Sequence, residues 1–134
     1  MSTQIPNIKE KIGAALTYLT LGLWGLLWLL LSKVPAYSQK DFVRFHCYQS
    51  ILIGLLFMFI PSGISILFTL ISQIIGIIPG GSIIVQWIHL IHSIFQQLFS
   101  YSGIALIVYC SVMGLIGKYT NIPWISQIVN RMLR

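Results

Sequence analysis

The chain has 134 residues, of which 57% are hydrophobic and only 7% are charged, whereas soluble globular domains carry about 25% charged residues. Between Arg44 and Lys118 lie 73 consecutive residues without a Lys, Arg, Asp or Glu. A charge at the centre of a membrane helix costs about 2.5–3.5 kcal/mol, so this gap excludes a soluble domain and predicts an integral membrane protein. The net charge of +6 lies outside the apolar segments, and we expect membrane lipid headgroups, not nucleic acid, to be its partner.

The first apolar run extends from Ile12 to Leu31. Its 20 uncharged residues, at about 1.5 Å per residue, match a hydrocarbon core of about 30 Å. We therefore predict a transmembrane helix over 12–31. A secretory signal is the alternative, but the run is longer than a typical signal core and no small-residue cleavage site follows it.

A second apolar segment follows a polar connector at 32–44. We predict a transmembrane helix over 45–78 with a kink at Pro61, because membrane helices tolerate proline where neighbouring groups satisfy the freed carbonyl. A complete break at Pro61 is the alternative. The strongest turn signal in the chain is Pro79-Gly80-Gly81-Ser82, and we expect the helix to end there.

The segment 83–99 is predicted to be an amphipathic helix. At 100° per residue its polar residues fall within an arc of about 100°; they are Gln86, His89, Ser93, Gln96, Gln97 and Ser100. The face lacks the Lys and Arg typical of helices held by anionic lipid, whereas uncharged amides and imidazoles suit hydrogen bonds between membrane helices. The pattern predicts docking to other integral membrane proteins in a hetero-oligomeric complex.

The last predicted span covers 101–117. Four small residues on one of its faces predict close packing against a partner helix; they are Gly103, Cys110, Gly114 and Gly117. The tail at 122–133 is predicted to be a short interfacial helix, capped by Asn121 and anchored at the membrane surface by Trp124.

These elements predict an all-α fold, a polytopic membrane helical bundle that forms a single domain over 1–134. It has three transmembrane helices, or four if 83–99 also crosses. With three spans, two basic residues lie on the N-terminal side and six on the side of the connector and tail. The positive-inside rule then places the connector at 32–44 and the C-terminal tail on the cytoplasmic or stromal side.

Catalytic chemistry is not expected. The only two acids, Glu10 and Asp41, lie at membrane edges beside lysines, so no paired carboxylates and no nucleophile with its base can be assembled. Cys47 and Cys110 have neither disulfide nor zinc-site spacing. We predict a protein that is not an enzyme, with no catalytic residues and no metal site.

His89 and His92 lie three residues apart on the amphipathic helix. This spacing could direct both imidazoles toward one metal ion or porphyrin, but no further Cys, Asp or Glu lies nearby to complete a metal site. Hydrogen bonds to neighbouring helices, with no cofactor, are therefore the expected role. The alternative is one imidazole as an axial ligand of chlorophyll or haem.

Two motifs resemble a known family. The segment FVRFHCYQSILIG at 42–54 is similar to the helix-entry motif of the twenty-kilodalton subunit family of the chloroplast inner-envelope import translocon, and the match carries Arg44, Phe45 and Gln49. The segment GKYTNIPWISQIV at 117–129 resembles the ending of that family, through Lys118, Ile122 and Pro123. His46 and Tyr48 replace the usual Asn and Met, and the N-terminal part is one span short.

The resemblance implies a membrane subunit of a cyanobacterial thylakoid or plasma membrane, or of a plastid membrane, that acts in protein translocation or membrane-complex assembly. Family members are typically four-helix proteins. The alternative function is an accessory, pigment-binding subunit of a photosynthetic complex.

Overall fold

The structure is a computed structural model that describes residues 6–31 and 41–133. These residues form five α-helices and no strand. The helices are α1 (Ile8–Leu19), α2 (Leu23–Leu31), α3 (Asp41–Gly76), α4 (Ser82–Ile116) and α5 (Ile125–Met132). The all-α class is therefore as predicted. Most of the connector, at 32–40, lies outside the described residues.

Two of the described helices, α3 and α4, are long and apolar enough to cross a membrane. Only 6% of the most apolar part of α3 is buried inside the chain, so α3 does not resemble the core helix of a soluble protein. Large side chains such as Met58, Phe59 and Ile66 are about two-thirds exposed. Apolar surface of this extent needs lipid or another protein to cover it.

The predicted single helix over 12–31 is wrong, because α1 ends at Leu19 and α2 begins at Leu23. The break is a Schellman motif. The Leu21 N–H donates to the Tyr18 carbonyl at 3.0 Å, and the Gly22 N–H donates to the Thr17 carbonyl at 2.8 Å. Leu21 and Gly22 both have positive φ, 52° and 87°. Hydropathy gave no sign of this break, since the residues at the turn are as apolar as those around it.

Helices α1 and α2 pack against each other as an antiparallel pair. A Cβ at Gly13 of α1 would lie 3.3 Å from the Trp28 ring of α2. At the turn, a Cβ at Gly22 would lie 2.7 Å from the Cα of Ile51 in α3. Gly25, the third residue of α2, also packs closely on α3, since an added Cβ would lie 3.2 Å from the Cys47 Cα. Helix α1 therefore runs along α3 in the same direction, and α2 runs back along it in the opposite direction.

Helix α4 is continuous where the sequence predicted an amphipathic helix at 83–99 and a separate span at 101–117. The polar residues between them do not end the helix, because a serine hydroxyl can bond to its own helix. Ser102 donates to the Phe99 carbonyl at 2.8 Å. Pro61 likewise lies inside a continuous α3. The turn between α3 and α4 covers 77–81 and includes Gly80 at φ 83°.

The tail helix α5 begins later than the predicted 122–133. Trp124, at φ 72°, occupies its N-cap position without a side-chain hydrogen bond, so the predicted cap at Asn121 is wrong. Ser126 closes the preceding turn instead. Its hydroxyl accepts from the Ile122 N–H at 2.7 Å and donates to the Thr120 carbonyl at 3.1 Å.

The chain divides into two compact units, whereas a single domain over 1–134 was predicted. The hairpin unit is Leu56–Ile104 and contains the end of α3, the turn and the first part of α4. The terminal unit contains the chain up to Leu55 and from Ala105 onward, and so includes α1, α2 and α5.

Candidate functional site

The predicted polar face of α4 lies in the hairpin unit, and most of it is exposed. Five of its six residues have exposed side chains: Gln86, His89, Ser93, Gln97 and Ser100. The hydroxyl of Ser93 donates to the Leu90 carbonyl at 2.8 Å. The face carries no charged residue, as the sequence shows.

Gln96, the sixth residue of the face, is half-buried and bonds within the chain. Its Nε2 atom donates to Ser65 Oγ on α3 at 2.8 Å. The imidazole of His92 also bonds to this hydroxyl, with its Nε2 atom 3.2 Å from Ser65 Oγ. The His92 ring stacks on Phe68 with 5.0 Å between ring centroids. Gln96 therefore belongs to the contact between α3 and α4 rather than to a free docking surface.

The two histidines do not share an environment. His89 is exposed, whereas His92 is half-buried and its Nε2 atom is occupied by the bond to Ser65. The Nε2 atom of His92 is thus engaged within the chain, whereas the imidazole of His89 is open at the surface of α4. Within the part of the chain that the structure describes, no group of three His, Cys, Asp or Glu side chains is placed to hold a metal ion.

Helix α3 adds polar residues that the sequence analysis did not single out. Ser62, Thr69 and Gln73 are exposed, and each directly follows a less exposed residue of α3. Of those preceding residues, Phe68 packs against His92 of α4. The exposed polar residues of α4 follow its contact residues in the same way, since Ser93 comes after His92 and Gln97 after Gln96. The feature that identifies these polar residues is their position one residue after a contact residue, and it recurs on both helices.

On each helix, the residue that follows a contact residue lies about 100° farther around the helix axis. On both helices this rotation leads to the same side of the helix pair. Two antiparallel right-handed helices turn in opposite senses when viewed from one end, and their contact surfaces point toward each other. The Ser65–Gln96 bond marks the boundary of the contact on this side. We call the combined surface the polar side; it consists of Ser62, Thr69, Gln73, Gln86, His89, Ser93, Gln97 and Ser100.

The small residues of α4 pack inside the chain, so the prediction that they dock a partner is corrected. A Cβ at Gly103 would overlap the Phe57 ring, and one at Gly114 would lie 3.4 Å from the Ala15 backbone. Cys110 is fully buried, and Gly117 lies against Lys11. The spacing rightly indicated close packing, but the neighbours are the chain's own residues.

A buried hydrogen-bond network lies in the terminal unit. The Tyr18 hydroxyl donates to Gln49 Oε1 at 2.8 Å, and the Thr120 hydroxyl donates to the same oxygen. His46 Nδ1 lies 2.7 Å from the Tyr18 hydroxyl. Because that hydroxyl gives its single hydrogen to Gln49, His46 donates from Nδ1. All four side chains are at most 1% exposed, so the network ties α1, α3 and the segment after α4 together.

The two segments that carry the family resemblance meet at this network. Phe45 and Gln49 are buried, and Tyr119 packs edge-on against Phe45 with 5.1 Å between ring centroids. Burial and, secondarily, the nearby charge of Asp41 raise the pKa of Tyr119, so its hydroxyl stays neutral in ordinary buffers.

The other residues of the resemblance lie outside this buried cluster. Arg44, Lys118 and Pro123 are exposed and Ile122 is half-buried. Cys47 and Cys110 are free thiols inside the terminal unit. No protein-family model matches the sequence, and comparison with curated proteins and with solved structures finds no match.

Proposed function

We propose that this protein is a non-enzymatic integral membrane subunit that docks onto partner membrane proteins through the polar side of its hairpin unit. The observation that carries the proposal is a continuous, uncharged and exposed set of amides, hydroxyls and an imidazole on two helices that are apolar enough to cross a membrane. The described chain supplies no charge within this unit.

Any part of this surface that lies within the hydrocarbon core would be unfavourable if it faced lipid. An amide or hydroxyl moved into an apolar medium without a hydrogen-bond partner costs roughly 2–7 kcal/mol. Gln73, Gln86 and Gln97 each present an exposed amide. Ser62 and Thr69 are less costly, because their hydroxyls donate to carbonyls of α3 at 2.7 and 2.8 Å. The glutamines therefore give the strongest reason for a protein partner.

The resemblance suggests which complex the subunit joins. A relative of the import-translocon twenty-kilodalton family would act in protein translocation or membrane-complex assembly, in a cyanobacterial or plastid membrane. The meeting of the two resembling segments around Gln49 supports treating them as one structural feature. The docking role does not require the family assignment, because it rests on the exposed amides.

Leucine substitution of the polar side tests the docking role. In the variant Gln86→Leu/His89→Leu/Gln97→Leu we expect co-purification of partner membrane proteins in mild detergent to fall at least several-fold, because their hydrogen bonds to these side chains are lost. Gln96 is left intact, since it bonds to Ser65 inside the chain.

Serine provides a matched control on the same helix. Ser93 lies on the polar side and Ser102 on the opposite face of α4, and both are exposed and bond to a carbonyl three residues earlier. Ser93→Leu should weaken co-purification and Ser102→Leu should not. Full recovery of partners with the triple variant would refute the docking role.

The second candidate is a pigment-binding accessory subunit, and the exposed imidazole of His89 is the observation that favours it. A neutral imidazole can serve as an axial ligand. Protein purified from its native membrane would then show a chlorophyll or haem absorbance band that His89→Leu removes and His92→Leu largely retains. A spectrum with only aromatic absorbance excludes this function.

A further inference from the structure

The pair α1–α2 has two free ends, the start of α1 and the end of α2. Both lie at the end of the terminal unit that carries the basic residues. A Cβ at Gly117 would lie 2.8 Å from Lys11 Cε, and Tyr119, two residues farther on, packs against Phe42 at 5.5 Å between ring centroids. Near the end of α2, Trp28 and Leu29 pack against a buried cluster that includes Phe42 and Val43. The start of α1 and the end of α2 therefore lie beside the start of α3.

The turn between α1 and α2 lies part of the way along α3. The Leu21 carbonyl lies against Gly54, which is twelve residues after Phe42. At about 1.5 Å per residue this is about 18 Å, little more than half of a hydrocarbon core of about 30 Å. Neither α1, with 12 residues, nor α2, with 9, is long enough to cross.

The turn is equipped to lie in hydrocarbon. Its backbone N–H groups bond within the chain: Thr20 to the Leu16 carbonyl, Leu23 to the Thr20 carbonyl and Trp24 to the Thr20 hydroxyl, at 3.0–3.1 Å, in addition to the bonds of Leu21 and Gly22. A non-helical backbone is tolerated at membrane depth only when such groups are satisfied. The outward side chains around the turn are large and apolar: Leu16, Leu19, Leu21, Leu23, Trp24, Leu26, Leu27 and Leu30.

The two ends differ from the turn in charge. Lys9 and Lys11 lie in the first turns of α1, and Arg44 and Lys118 lie in the neighbouring parts of α3 and the segment after α4. The basic residues at one end match anionic lipid headgroups, and the leucines at the turn match the acyl chains below them. Lipid is therefore the expected neighbour of the exposed leucine surface.

We infer that α1 and α2 form a re-entrant hairpin that enters one leaflet of the bilayer and returns to the same side, its leucines in contact with the acyl chains of that leaflet. Only α3 and α4 then cross. The N-terminus lies on the same side as the C-terminal tail, which changes the two-against-six distribution of basic residues to one in which all eight share a side. The positive-inside rule favours this arrangement more strongly than three spans.

Cysteine labelling in sealed membrane vesicles tests the topology. Single cysteines replace exposed residues at the start of α1, at the turn between α3 and α4, and in α5: Ile8→Cys, Ile77→Cys and Met132→Cys. A membrane-impermeant maleimide is applied to vesicles of each orientation. We expect Ile8→Cys and Met132→Cys to be labelled in one orientation and Ile77→Cys in the other.

A chain with three spans gives a different grouping, because Ile8→Cys would then be labelled together with Ile77→Cys. That result would overturn the re-entrant hairpin. Leu21→Cys, at the turn, should be labelled from neither side until detergent is added, and labelling from one side in intact vesicles would also overturn it. The unsubstituted chain controls for the buried Cys47 and Cys110. The readout involves no partner protein, so it is independent of the docking proposal.

Discussion

Replacing Gly54 with alanine should destabilise the protein by at least about 1–3 kcal/mol, the range for added volume in a well-packed site. A Cβ at this position would overlap the Leu21 carbonyl oxygen at the turn between α1 and α2. That oxygen belongs to the backbone of a turn with two successive positive φ angles, so it cannot move away as the end of a side chain can. The free energy of unfolding measured in mixed detergent micelles gives the size of the effect.

Gly63 supplies the control because it lies in the same helix but has no atom within 4 Å of an added Cβ. Gly63→Ala should leave stability unchanged or raise it by up to about 1 kcal/mol, the difference in helix propensity between the two residues. Equal stabilities for the two variants would contradict the close approach of the α1–α2 turn to α3.

This contact shows what sequence reasoning could not reach. Hydropathy located the apolar segments correctly, but 20 apolar residues fit one spanning helix and two short helices equally well. The difference depends on a Schellman turn at Leu21 and Gly22, whose hydrogen bonds are local but whose place is set by Gly54, more than thirty residues away. A long-range packing constraint of this kind has no signature in the periodicity of either segment.

The small-residue face of α4 illustrates a related limit. The spacing of Gly103, Cys110 and Gly114 correctly indicated that something packs closely there. It carries no information on whether the neighbour is the same chain or another one. The structure shows that α1 covers Gly114 and Phe57 covers Gly103, so these two glycines are not open to a partner.

The polar side was predicted in part because helical periodicity is a property of one segment. The residues of α4 from Gln86 to Ser100 follow from the 100° rule applied to the sequence. The contribution of α3 needed the contact between the helices, because Thr69 and Gln73 are recognisable only relative to the residues that face α4. For the same reason, the sequence assigned Gln96 to the docking surface, whereas the structure places it in the contact between α3 and α4.

Gln49→Leu should produce the largest loss of stability among the polar residues of the chain. The substitution removes the acceptor used by the hydroxyls of Tyr18 and Thr120. Each buried hydroxyl left without a partner costs about 1–3 kcal/mol. Tyr18 can turn to His46 Nδ1, which lies 2.7 Å away, if that imidazole moves its proton to the other nitrogen. Thr120 keeps only the Tyr18 hydroxyl, at a longer 3.5 Å, so a loss of about 2 kcal/mol is expected.

Removing the stranded hydroxyls as well should restore part of this loss. In Gln49→Leu/Tyr18→Phe/Thr120→Val the buried site becomes apolar, and the triple variant should be more stable than the sum of the three single changes predicts. Strict additivity would show that the three side chains do not form one network.

Gln97→Leu completes the comparison because the same chemical change is made at an exposed position of the polar side. Its stability in detergent should stay within about 0.5 kcal/mol of the parent chain, whereas partner recovery should fall. Gln49→Leu should instead lower stability in the purified protein without any partner present. The same glutamine-to-leucine exchange at these two positions thus separates the residue that holds the terminal unit together from the residue that we propose to contact another protein.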